Sequence, residues 1–316
     1  MEVKDIFELR KQGRIEEAYE AIRPMYAVHK GKYTTLAMFW TASDILKKRL
    51  GEQRIDESLK IFEALLRVLP SIDDRDGKAH AAVTGAALRL ARECKDFSML
   101  GFLKQYGAEN FVESDWQAVQ PVAKEETGKK QFPLPSNAMR ILTQAFHEIQ
   151  HSPTAENALI VMPLLEEALH RHPRDKNVQR HMAIVYTIMG ERAKAINIYK
   201  QLLTRHHDSW LYAELSALTE DAGERAALLC QAITHQRQEK FRSNYHLELA
   251  KLLVGRDNAR AAYELEQCIR IRQQQGFHNT REIEDMRKTL TGVVAVTAAS
   301  QQDFYHRMAL KYLQRD

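Results

Sequence analysis

The sequence predicts an all-α protein, a solenoid of antiparallel helix pairs arranged in two arrays. Three observations carry this. A two-helix unit at 176–209 places Met182, Ala183 and Tyr186 before Gly190, and Ala195, Tyr199 and Leu202 after it, all at helical spacing. A weaker copy follows: Ala250, Leu253, Ala262 and Ile269 lie 67 positions after Ala183, Tyr186, Ala195 and Leu202, nearly two repeats of about 34 residues. The 316 residues include only 13 Gly and 8 Pro, 44% are apolar, and no segment shows strand-like alternation of Val, Ile and Thr.

The elements follow in order. Residues 5–30 predict a hairpin in which Ile6 and Leu9 precede a turn at Gly13-Arg14, and Ala18, Ile22 and Met25 follow it; Pro24 is expected to shorten or kink the second helix. Residues 33–69 give a second pair that turns at Gly51 and stops at Pro70. A third pair is expected at 77–93 and 96–106, around Val83, Ala87 and Leu90, then Phe97, Leu100 and Leu103.

Between Gln117 and Ser136 the periodicity fails. Pro121, the polar run from Lys124 to Lys130, Pro133 and Pro135 mark a linker or long loop. The expected organisation is therefore an N-terminal array at 1–116, a linker at 117–136 and a C-terminal array at 137–316. The second array opens with Ala138, Ile141, Leu142, Ala145 and Ile149 on one stripe. A helix carrying Val161, Leu165 and Ala168 follows, with Pro163 expected to kink it or mark its start. Beyond 176–209 come pairs at 210–236 and 243–275, then closing helices at 280–290 and 301–313, the last with Ser300 as its N-cap.

Charge excludes little and favours no acidic or basic ligand class. The net charge is +4 from 46 basic and 42 acidic residues, spread over both halves without a basic tail, unlike a dedicated nucleic-acid binder. No window reaches the roughly 18 apolar residues that span a bilayer, so no membrane association is expected. The N-terminus carries acids and enters an amphipathic helix, which is not the pattern of a signal peptide. Cys94, Cys230 and Cys268 are widely separated at apolar helical positions and read as core thiols in a reducing cytoplasm.

On these residues the chain resembles the tetratricopeptide repeat (TPR) family. The match is best at 176–209 and good in the second helices at 161–173 (Val161, Leu165, Ala168, Pro173) and 58–70 (Phe62, Leu65, Pro70). It is fair at 243–276 and partial at 1–30, so it covers about two-thirds of the chain; His207 stands where the repeat often has Pro. The resemblance implies a right-handed superhelix and a protein or peptide partner held on a concave surface lined by first helices, with no cofactor and no catalysis. Independently of the name, one helix pair cannot bury its own apolar face and needs neighbours. In TPR proteins that hold chaperone C-termini, Lys, Asn and Arg recur on first helices. Here those positions are Asn177, Arg180, His181 and Ile184 in one repeat and Asn244, Leu247, Glu248 and Lys251 in another. Glu248 has the wrong sign for a carboxylate ligand, and Ile184 and Leu247 offer no hydrogen bonds. The expected partner-binding residues are thus Asn177, Arg180, His181, Tyr212, Asn244 and Lys251, for a partner other than a chaperone tail.

Two motifs point elsewhere. His147-Glu148-Ile149-Gln150-His151 matches the H-E-x-x-H of zinc peptidases, in which two His bind metal and Glu is the general base. Pro153 ends the helix at the motif, the apolar stripe centres well over 120° from both histidines, and no third ligand is evident beyond Glu166 and Glu167 in a repeat-like helix. An exposed helix end is the expectation; a zinc hydrolase is the remote alternative. The run Arg237 to Arg242, with Arg256, Arg260, Arg270 and Arg272, is the most basic region. It supports an alternative in which a C-terminal basic face contacts nucleic acid, although interspersed Glu239, Asp257, Glu264 and Glu266 favour a solvated face.

Overall fold

The computed structural model describes residues 1–74, 76–118 and 133–313. Among them the chain is all-helical, without β-strands, and successive helices pack as adjacent pairs in the manner of a TPR-like solenoid. It divides into two compact units, Met1–Pro173 and Arg174–Asp316.

The first unit opens with α1 (Val3–Lys11) and α2 (Ile15–Val28). Their turn places Gly13 at φ 74°, a left-handed conformation that suits a residue without Cβ. Next come α3 (Lys32–Gly51) and α4 (Ile55–Val68), then α5 (Lys78–Glu93) and α6 (Met99–Tyr106). Helix α3 is buried on several sides because it packs against α1, α2, α4 and α5. Its sequence permits this: Thr34, Thr35, Ala37, Thr41, Ala42 and Ser43 are small enough for close approach, and Phe39, Ile45 and Leu46 fill the remaining space. Helices α7 (Asn137–His151) and α8 (Ala155–Arg171) complete the unit.

The expected boundary is displaced. Helix α7 packs on α5, α6 and the 3-10 turn Glu113–Trp116, so the compact units part after Pro173 and not within 117–136. Of the expected linker, 119–132 lie outside the described residues. Both interior prolines are accommodated. Helix α2 continues through Pro24 and α8 through Pro163, and both prolines are exposed, which leaves the interrupted hydrogen bond on the solvent side.

The second unit contains α9 (Lys176–Ile188), α10 (Arg192–Leu203), α11 (Ser209–Leu218), α12 (Ala222–His235), α13 (Ser243–Leu253), α14 (Asn258–Gln274), α15 (Arg281–Thr289) and α16 (Ala298–Leu313). Helix starts are set by side chains that accept exposed backbone N–H groups. Asp175 takes those of Asn177 and Val178 at 2.8 and 3.1 Å, Asp221 that of Glu224 at 2.7 Å, and Asp257 that of Arg260 at 3.1 Å. The expected cap at Ser300 is corrected: α16 starts earlier, and the Ser300 N–H donates to Thr297 Oγ1 at 3.3 Å. The small-residue segment before it is held by the core, with Val293 and Ala295 packed inward and the Val296 N–H donating to the Ala259 carbonyl at 3.2 Å.

Small residues sit where helices touch. Ala183, Ala195, Tyr199, Leu202, Leu211, Leu215, Ala227 and Leu228 form one buried cluster, joining α9 through α12. Cys230, Leu249, Ala250, Ala261, Leu265, Cys268 and Tyr305 belong to a second, joining α12, α13, α14 and α16. Ala183 is completely buried, so a larger side chain has nowhere to go without separating α9 from α10. Ala183→Leu is expected to destabilise the second unit by about 1–3 kcal/mol. Urea denaturation should show a lower midpoint; an unchanged midpoint would mean that the contact is looser than described.

Candidate functional site

The first helices of two successive pairs in the second unit, α9 and α11, contribute side chains to one electrostatic cluster. At its centre Trp210 on α11 is covered by two cations from α9: Lys176 Nζ lies 5.5 Å from the ring centroid and Arg180 Cζ 4.6 Å. Each cation is also paired with an acid on or beside α11. Lys176 reaches Asp208 at 2.8 Å. Arg180 holds Glu214 through Nε at 3.0 Å to both carboxylate oxygens and Nη2 at 2.5 Å. Burial opposes the Arg180 charge, but the Glu214 hydrogen bonds and charge outweigh it, so the guanidinium pKa is raised. Beneath them Tyr199 has its hydroxyl pKa pushed up by burial and then by the Glu214 charge.

This geometry fixes what each expected site residue can do. Asn177 and Asn244 are exposed near the starts of α9 and α13. Arg180 is half-buried and bound bidentately, so it cannot grip a ligand carboxylate without giving up Glu214. His181 is half-buried. Lys251 is shared between Glu248 at 2.7 Å and Glu282 at 2.6 Å; burial lowers its pKa, and the two carboxylates more than reverse that. Tyr212 differs from expectation. It is 5% exposed, with its hydroxyl 2.9 Å from His207 Nδ1 and its ring stacked on His235 at 5.3 Å. It faces the second helix of its own pair, so it is a packing residue and offers no open contact.

Sequence reasoning missed a second constellation. Glu264 on α14 is fully buried and its carboxylate is saturated by donors from three directions. Tyr305 Oη donates to Oε1 at 2.5 Å, Gln301 Nε2 donates to the same oxygen, and His246 Nδ1 lies 2.5 Å from Oε2. The cluster ties α16 to α14 and α13. Its only signal in the sequence is an acid inside the apolar stripe of Ala261, Leu265 and Cys268. Nearby Cys230 could suggest a Cys-His-Glu nucleophile, but burial, then the Glu264 charge, pushes its thiol pKa well above the ordinary value. An activated thiol needs the opposite shift. Burial also pushes Cys268 up to about 11.

The H-E-x-x-H residues have another use. His147 and His151 are exposed, whereas Glu148 reaches across to the start of α6. Its carboxylate accepts from Ser98 Oγ at 2.8 Å, the Met99 N–H at 2.5 Å and the Leu100 N–H at 3.1 Å. The motif's acid is a helix cap supplied by another helix, where negative charge also suits the helix dipole. Among the described residues no group of three His, Cys, Asp or Glu side chains is placed to hold a metal ion.

Part of the basic run is held by the fold itself. Arg270 pairs with Glu239 at 2.5 Å, Arg242 donates to the Gln236 carbonyl at 2.7 Å, and Arg272 to the His278 carbonyl at 2.6 Å. Arg260 donates to the Ser300 carbonyl at 3.0 Å and pairs with Asp257 at 3.0 Å. These four guanidinium groups serve the fold, whereas Arg237, Lys240 and Arg256 are exposed.

Residues 178–311, from α9 into α16, match a family described as a domain of unknown function, DUF7017. No curated protein matches the chain. Among solved structures, a tetratricopeptide repeat protein from Parabacteroides merdae is similar at 12% identity and a TM-score of 0.40, over 92% of this chain and 97% of that one.

Two outcomes test these assignments. Glu148→Ala is expected to cost about 1–2 kcal/mol in denaturant titration through loss of the α6 cap, while His147→Ala and His151→Ala stay within about 0.5 kcal/mol. Equal effects for all three would contradict the capping role. Cys230 should react with a thiol reagent such as DTNB at pH 8 only after unfolding; rapid labelling of the native protein would show an accessible thiolate.

Proposed function

We propose that the chain is a non-catalytic interaction scaffold that captures a protein partner, as a peptide or helix, on the face formed by α9, α11 and α13. The observation that carries this is the Trp210 cluster: an aromatic ring half-exposed on a first helix, fixed between Lys176 and Arg180, with Asn177 and Asn244 exposed near the helix starts. Aromatic and arginine side chains on a rigid helical support are the groups that dominate partner binding, because they lose little entropy on contact. The carboxylates that pair Lys176, Arg180 and Lys251 leave the face close to neutral, which favours a partner of mixed polarity over a strongly acidic one. Three buried free thiols agree with residence in a reducing cytoplasm.

The reading is tested by blocking the face without disturbing the core. Asn177→Arg and Asn244→Arg change exposed positions, so the fold should survive, while added charge and bulk obstruct docking. In quantitative pull-downs from native cells, each variant should recover the partner bound by the wild-type chain roughly tenfold less, equivalent to about 1.4 kcal/mol. Asn197→Arg, on the second helix α10, should leave recovery unchanged. Undiminished recovery by both first-helix variants would reject this face.

A further inference from the structure

The second unit also holds a cavity of about 390 Å³ at the junction of the α9 start with the α10 end, lined by Arg174, Gln179, Gln201, Leu202, Arg205 and His206. Two of these residues are arginines whose charges are not neutralised. Arg174 and Arg205 are exposed and, among the described residues, neither has a carboxylate within ion-pair distance. Elsewhere in the unit Arg180, Arg192, Arg260 and Arg270 each hold an acid. No carboxylate lines the cavity, whereas the cavity beside Trp40 contains Asp73, Asp74 and Asp76. The acid next in sequence, Asp175, is committed to the Asn177 and Val178 N–H groups.

We propose that this cavity binds a phosphate monoester carried on a side chain, such as phosphoserine. Two planar guanidinium forks can each engage two oxygens of a tetrahedral dianion, which suits phosphate better than a single carboxylate. Carboxamides at Gln179 and Gln201 and the His206 ring supply further polar groups to the wall. The volume exceeds that of a bare phosphate and leaves room for the ester stem, within the range of small-ligand sites. No Phe, Tyr or Trp lines the cavity to stack a base, so a phosphorylated amino acid fits it better than a nucleotide. That the phosphate arrives on a captured partner rests on the scaffold reading; the binding chemistry does not.

Small probes separate the two. In isothermal titration calorimetry at low ionic strength, O-phospho-L-serine should saturate the wild-type chain, and serine should give no heat. Arg174→Ala with Arg205→Ala should weaken phosphoserine at least tenfold, and Arg205→Gln alone about threefold, with unperturbed circular dichroism because both arginines are exposed. Adenosine monophosphate should bind no more tightly than phosphoserine. Absence of saturable phosphoserine binding, equal binding by the double variant, or inorganic sulfate binding as tightly as phosphoserine would overturn the site. A nucleotide preference of tenfold or more would overturn its assignment to a phosphorylated side chain. None of these results bears on the Asn177 and Asn244 variants, so failure of the cavity and failure of the partner face remain distinguishable.

Discussion

A pair of antiparallel helices has more apolar surface than it can cover by itself, and this shortage governs the architecture. Each pair in the second unit is finished by the next. Ala183 and Ala195 bring α9 and α10 together, and their cluster extends to Leu211, Leu215 and Leu228 on the following pair. The array then needs an end. Helix α16 provides it by packing on α12 and placing Gln301 and Tyr305 on the buried Glu264 carboxylate. A carboxyl group at that depth needs its hydrogen bonds filled, and His246, Gln301 and Tyr305 fill them.

Charge is organised by the same repeat. Arg180 pairs with Glu214 and Arg10 with Asp44, and in both cases the partners are 34 residues apart, one repeat length. Stacking brings equivalent positions of adjacent first helices side by side, so opposite charges one repeat apart become neighbours. The result is a first-helix face that neutralises itself. Arg174 and Arg205 line one cavity and, among the described residues, hold no acid.

Much of this was legible in the sequence because helix pairs are local. The 3.6-residue periodicity and the turn at Gly190, which takes φ 79°, depend on residues close in the chain. What escaped depends on distant partners. Glu148 reads as the middle of a metal motif, and its real partner, Ser98, is 50 residues away. Tyr212 reads as a candidate contact on a first helix, but its position on the helix turns it towards His235. The proline-rich stretch reads as a boundary, yet packing of α7 on α5 joins the flanking segments into one unit. Pro24 and Pro163 read as sites of shortening or kinking, yet both helices run through them with the prolines exposed.

On the proposed reading, the first helices of the second unit meet the partner. Site-specific photo-crosslinking in native cells tests it most directly. A benzophenone amino acid placed at Asn177 or Asn244, exposed near the starts of α9 and α13, should form a covalent adduct with one protein partner. The same probe at Asn197 or Glu266, exposed on the second helices α10 and α14, should not. Adducts confined to 197 and 266 would contradict the account and move the binding surface to the opposite helices.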